Sequence, residues 1–368
     1  MAFIKKLNFE FHLIVMVLLI TIVSCTSQPE SVPTNSRVID AVLVTPTPTN
    51  LPQSALTEIL IPTAFIVPTP TSYISIKTAY ASLPTGEYIV SVEGDSSLRA
   101  VSVDSSISAL LVENIVGDGF KYNNERLAFT STFWDSDQEH HQIHVFNFKT
   151  GIDSKFQNPA RKECMAEDWS LDGKQLIVLC RSIDDYLFFE MALLSVEDGR
   201  FVTVMIDEHK EDDSDGGYEQ VRLSPNGKWL AYYRLFSKGP ELIEGLYITD
   251  ATCLSEPATC KDKTYRFPMK KLTSDRGNRI INWTSESHLV VALNNQIQVF
   301  DVQEQQKIRV LTVTPNVDFI QNMSWSPDGK WVVVRLQDSG DSLLIATQSG
   351  KVTQLNVAVT NPFWIVVP

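Results

Sequence analysis

The feature that most constrains this chain is a turn that keeps returning. Its clearest copy is Trp325-Ser326-Pro327-Asp328-Gly329-Lys330, which runs into Trp331-Val332-Val333-Val334. Leu223-Ser224-Pro225-Asn226-Gly227-Lys228 and Trp169-Ser170-Leu171-Asp172-Gly173-Lys174 repeat it. Trp283-Thr284-Ser285-Glu286-Ser287-His288 and Tyr122-Asn123-Asn124-Glu125-Arg126 are degenerate copies. Proline presets φ, Asp or Asn bonds the local backbone, and glycine supplies a positive φ. Apolar and polar residues alternate on both sides, so each motif predicts a β-hairpin. The basic residues that end the motifs (126, 174, 228, 288 and 330) fall 48, 54, 60 and 42 residues apart. A hairpin at that spacing, followed by two further strand-like runs, predicts four-stranded propeller blades.

The chain ends predict how the blades close into a ring. Residues 361–367 read as an innermost strand without a hairpin partner, and residues 86–92 as a second strand without a first. Joined, they form a sixth blade with its inner strand from the C-terminus and the rest from residues 86–112. Residues 85–368 are therefore expected to be an all-β, six-bladed propeller of about 47 residues per blade. The repeats resemble the TolB-like, WD40-like β-propeller repeat over about residues 85–368. TolB proteins are periplasmic and contact a partner lipoprotein and other envelope components, so the resemblance implies a binding role at the envelope. A fold of this kind hosts many activities, however. The chain also departs from that family, with a Pro/Thr-rich segment where the family has an N-terminal α/β domain. The family's partner set is therefore not carried over.

The first 24 residues read as an export signal. Lys5 and Lys6 precede an apolar run, LIVMVLLITIV, over residues 13–23. That run is shorter than the roughly 20 residues a membrane-spanning helix needs, and a basic start before a short apolar run is the signal-peptide pattern. Ile22-Val23-Ser24-Cys25 resembles the lipobox of bacterial lipoproteins, which implies lipidation of Cys25 and its exposure as the mature N-terminus. The alternatives are an ordinary signal peptide and an uncleaved anchor. Residues 25–84 read as a disordered tether, because residues 26–84 hold nine of the chain's 18 prolines among many Thr and Ser. Such a flexible chain reaches about 40–50 Å. The expected location is extracytoplasmic, on the outer membrane or the outer face of the plasma membrane.

Charge and cysteine usage agree with that address. The net charge of −13 resides in residues 85–368, which hold 27 basic and 40 acidic residues. That excludes an electrostatic nucleic-acid binder. Apart from Cys25 the chain has four cysteines. Cys164 and Cys180 are equidistant from Asp172, so a hairpin centred there places them opposite each other, near disulfide range. Cys253 and Cys260 bracket a short loop. Two disulfides suit an exported protein, and four free thiols are the alternative.

No Gly-x-Ser-x-Gly elbow, His-Glu-x-x-His helix or phosphate-cradling loop occurs. No cofactor or metal is expected. His140, His141 and His144 read as solvated residues at a strand start, and Asp212-Asp213-Ser214-Asp215-Gly216 as an acidic loop rather than a calcium site. The long charged connections opposite the Ser-Pro-Asp-Gly turns, at 131–141, 181–186, 207–217, 235–245 and 337–341, are the functional lead. Phe133, Trp134 and Tyr186 lie there among Asp135, Asp137, Asp184 and Asp185. Aromatic rings beside carboxylates suit a sugar, a cation or a basic protein partner. The leading expectation is a membrane-tethered scaffold that binds a protein or glycan. The rival is a propeller glycosidase or lyase, which needs converging carboxylates at the channel mouth.

Overall fold

The computed structural model describes residues 79–368 apart from 94–96, 114, 116, 136–137, 184–187, 209–215, 239–240, 257–258, 269–279, 294 and 314–318. The signal, Cys25 and nearly all of the tether lie outside the described residues. Six four-stranded antiparallel sheets follow one another as blades.

The first complete blade comprises β4 (Asp118–Asn123), β5 (Arg126–Asp135), β6 (Gln138–Asn147) and β7 (Asp153–Phe156). The second comprises β8 (Lys162–Trp169), β9 (Gln175–Ser182), β10 (Phe188–Ser195) and β11 (Phe201–Glu208). The third comprises β12 (Gly216–Leu223), β13 (Trp229–Lys238), β14 (Glu241–Asp250) and β15 (Thr264–Arg266). In the fourth stand β16 (Ile280–Trp283), β17 (Leu289–Leu293), β18 (Gln296–Asp301) and β19 (Gln306–Thr312). In the fifth stand β20 (Ile320–Trp325), β21 (Trp331–Leu336), β22 (Ser342–Ala346) and β23 (Val352–Gln354). The sixth is the expected composite: β24 (Thr360–Val367) pairs with β1 (Gly86–Glu93), which continues into β2 (Ser97–Ser102) and β3 (Ser108–Glu113). Ile89 faces Trp364 across this seam, and Thr85 Oγ1 donates to Pro368 O at 2.9 Å. Each inner strand touches the next, from β4 through β8, β12, β16 and β20 to β24 and back to β4.

The repeated turn forms as its chemistry requires. Asp328 Oδ1 accepts from Ser326 Oγ at 2.8 Å and from Lys330 N at 2.9 Å, while Ser326 Oγ accepts from Trp331 N at 2.9 Å. Gly329 takes φ 75°, and in the degenerate copies Ser287 and Glu125 take φ 64° and 63° at the corresponding positions. The hydroxyl and carboxylate thus replace backbone partners that a bend this tight cannot supply.

The core lies between blades, not within them. Six clusters of buried apolar side chains each combine two neighbouring blades. Alternation along each strand sends successive side chains to the two faces, and both faces meet a neighbour. At the seam, Ile89, Val333, Leu344 and Trp364 pack together. Tyr80 and Leu83, in and just after the short helix α1 (Ala79–Ser82), are buried in the cluster that joins the composite blade to β4–β6. Packed structure therefore begins a few residues before 85. Cys164 faces Cys180 across β8–β9 and is bonded to it, and Cys253 is bonded to Cys260.

The segments read as loops at 131–141 and 235–245 are largely strand instead, and of 207–217 the described ends, 207–208 and 216–217, are strand. β5 and β6 pair without interruption from Arg126↔Asn147 to Asp135↔Gln138, and β13 and β14 from Trp229↔Asp250 to Lys238↔Glu241. Their polar composition suggested loops, but in both hairpins the cross-strand ladder continues to Asp135↔Gln138 and Lys238↔Glu241.

Candidate functional site

Two cavities are candidates. The first is the central channel, about 820 Å³, bounded by the six inner strands. Its charged residues, Lys121, Glu167, Asp168 and Arg222, come from three consecutive blades, and Asn282, Asn322 and Asn361 line it from the other three. These groups tie blade to blade. Asp168 accepts from Trp169 N at 2.9 Å and from Leu223 N, one blade on, at 2.7 Å. Burial pushes its pKa up, against the pull of Arg222 and these amides. Arg222 Nη1 meets Glu167 Oε2 at 3.0 Å, and Asn322 Nδ2 donates to Asn361 Oδ1 at 2.9 Å. The indole N–H groups of Trp169, Trp283 and Trp364 donate to Lys121 O, Arg222 O and Ser324 O on adjacent inner strands. These polar groups thus hold blade to blade.

The second cavity, about 510 Å³, opens on the side of the first complete blade. It exists because β7 is only four residues long and ends at Phe156, while β6 runs on to Gln138. Side chains cover the uncovered edge of β6. His141 N donates to Glu163 Oε2 at 2.6 Å, and Asn158 Nδ2 donates to His141 O at 2.7 Å. His140 Nδ1 lies 3.1 Å from Glu163 Oε1. Phe133, 47% exposed, stacks on His140 with ring centres 5.4 Å apart. The described charged lining is Lys155, Arg161 and Lys162 against Glu163 alone, so this wall is basic although the propeller as a whole is acidic. Lys162 is itself paired with buried Glu190 at 2.7 Å.

Beside this cavity lies a chain of hydrogen bonds that the sequence reading missed. The β5–β6–β7 register sets Phe129 against His144, Ser131 against Gln142 and Phe146 against Asp153, so Ser131, His144 and Asp153 share one face. Ser131 Oγ lies 2.9 Å from His144 Nε2, and His144 Nδ1 lies 2.9 Å from Asp153 Oδ2. A carboxylate only accepts, so Nδ1–H donates to Asp153, and in the neutral form of the ring the Nε2 lone pair accepts from Ser131. The Phe129 ring stacks on the imidazole at 4.6 Å. His144 and Asp153 are both buried, which corrects the reading of His144 as solvated. Asp153 lies nine residues away on the next strand, so no local pattern marked it as a partner. The three histidines diverge: His140 goes to Glu163, His141 to Thr132, and His144 to Asp153.

Of the residues expected to bind, Phe133 lines the side cavity. Trp134 and Asp135 belong to the backbone of β5, but their side chains lie outside the described residues, as do Asp137, Asp184, Asp185 and Tyr186. Residues 212–215 lie outside them too.

No family model and no curated protein sequence matches the chain. Solved structures do. A chain of the nidogen/laminin complex matches over 76% of this chain and 98% of its own at TM-score 0.50 and 8% identity. The periplasmic gluconolactonase of Pseudomonas aeruginosa covers 77% and 100% at TM-score 0.46 and 15% identity. A putative 6-phosphogluconolactonase of Bacteroides fragilis covers 78% and 99% at TM-score 0.46 and 13% identity. At these identities the likeness is one of fold: the chain is a six-bladed β-propeller.

Proposed function

We propose that this protein is a lipid-anchored, extracytoplasmic binding scaffold that presents the β5–β6 side of its propeller to a glycan. The observation that carries the reading is Phe133. It is a large apolar ring half exposed on a rigid hairpin, stacked on His140 above a polar cavity. A flat ring beside amide and cationic donors matches a sugar, which offers an apolar C–H face and a rim of hydroxyls. A protein partner at the same face is the second reading, favoured where carboxylates of the hairpin tip take part. Two disulfides support an oxidising compartment. The lipobox-like Cys25 and the proline-rich segment after it supply the anchor and the tether.

A glycan array with the full chain and its Phe133→Ala variant tests the binding face. Retention of the same glycans by both proteins would refute it, and a specific loss would support it. Fatty-acid labelling of cells that express the chain or Cys25→Ser tests the anchor separately. Equal labelling of both would refute lipidation at Cys25.

A further inference from the structure

We propose that Ser131, His144 and Asp153 form a nucleophilic relay for acyl transfer, with an acyl ester bound at the side cavity as substrate. The inference goes beyond the binding role and does not depend on it.

The geometry supplies the parts such chemistry needs. A serine hydroxyl is a poor nucleophile until a base within hydrogen-bond reach takes its proton. His144 Nε2 is that base at 2.9 Å, and Asp153 at 2.9 Å on the other side fixes the tautomer that leaves Nε2 unprotonated. The base is held on two sides, by the Asp153 bond and by the Phe129 ring stacked on it. Asp153 Oδ1 is buried without a protein partner, so Oδ2, the oxygen facing His144, is the carboxylate's one tie to protein among the described residues. A buried carboxylate tied in this way stabilises the imidazolium that forms once the proton has moved. Ser131 itself is partly exposed. Its cross-strand partner Gln142 and its face neighbours Phe133 and His140 line the cavity. Gln142 therefore brings an amide donor to the face where the ester oxygen would gain negative charge.

The step balances without any group from outside except water. Ser131 Oγ bonds to the acyl carbon as its proton passes to His144 Nε2. The acyl–oxygen bond then breaks, and the leaving alcohol takes that proton. Water next attacks the acyl-serine, giving its proton to His144, which returns it to Ser131 Oγ as the carboxylic acid departs. Ser131 and His144 act on the substrate, and Asp153 is a positioning residue.

The test uses the full chain in detergent with a fluorophosphonate probe, followed by peptide mapping of the adduct. The expected result is an adduct on Ser131 that Ser131→Ala abolishes. His144→Gln and Asp153→Asn should lower the labelling rate constant at saturating probe by roughly 100-fold or more, with the half-saturating probe concentration unchanged. A merely structural role for Asp153 would not separate those two quantities. No adduct on Ser131 of the wild-type chain overturns the proposal, whatever the variants do. An adduct on Ser131 that forms equally fast in His144→Gln and Asp153→Asn, with both variants melting cooperatively, overturns it as well.

Discussion

If the ring is held shut by its last strand, removing residues 361–368 must unfasten it. β24 places Phe363, Trp364, Ile365 and Val367 in the core. At about 1.5–3 kcal/mol for each fully buried side chain, the strand contributes about 6–12 kcal/mol of burial. A whole domain is stable by only about 5–15 kcal/mol. The truncated chain should therefore lose its cooperative melt, not shift it slightly. Two substitutions grade the same argument. Trp364 is buried and its indole N–H donates to Ser324 O at 3.1 Å. Trp364→Ala should cost about 3–5 kcal/mol, which lowers Tm by roughly 6–20 °C in a domain of this size. Val366, on the same strand but 43% exposed, is the control. Val366→Ala should move Tm by about 2 °C or less. Thermal melts followed by circular dichroism read all three. A truncated domain that melts with the full one, or equal shifts for the two substitutions, would refute the closure argument.

Other outcomes follow from local geometry. Breaking Cys164–Cys180, separated by 16 residues, should lower stability by about 3 kcal/mol in the loop-entropy picture, and breaking Cys253–Cys260, separated by 7, by about 2; intact mass with and without reductant and paired Cys→Ser variants check both. Gly329 sits at φ 75° close against Ser285, so Gly329→Ala should destabilise by about 1–2 kcal/mol in denaturant titration, and a neutral result would contradict the turn geometry. The Lys174 amide and the Ser170 hydroxyl hold Asp172 below its ordinary pKa of 3.8. Its contribution is present at neutral pH and is lost as pH falls from the ordinary carboxylate value through the lowered one. Melts down to about pH 3 should show a weaker acid dependence for Asp172→Asn than for the unaltered chain; parallel curves would remove Asp172 from that balance.

The ring was legible because its turn is local chemistry. Asp328, Asn226 and Asp172 sit where a tight bend needs an acceptor, and their spacing counts blades without any long-range knowledge. Cys164 and Cys180 were legible for the same reason, since the Asp172 turn fixes which residues oppose. The side cavity was not legible, because nothing in the sequence says that β7 stops at Phe156 while its neighbour continues. The Ser131–His144–Asp153 chain was hidden by strand alternation. Three residues on three strands share a face only once the β5–β6 and β6–β7 registers are known. Phe133 lines the side cavity, and Lys155, Arg161 and Lys162 around it were not singled out by the sequence. The described charged lining is basic, and the side chains of Asp135 and Asp137 lie outside the described residues.

The seam between β1 and β24 also governs the order of events when the chain folds. Five blades form from contiguous sequence, each a run of neighbouring hairpins that can nucleate as soon as its residues emerge. The sixth must wait, because Ile89 cannot meet Trp364 until every intervening strand has been made. Its pairing closes the longest loop in the domain, so locking is expected to be the late step of folding. Until then β1 has a bare inner edge, open to the wrong strand of another molecule. The hazard ends only when the last eight residues arrive.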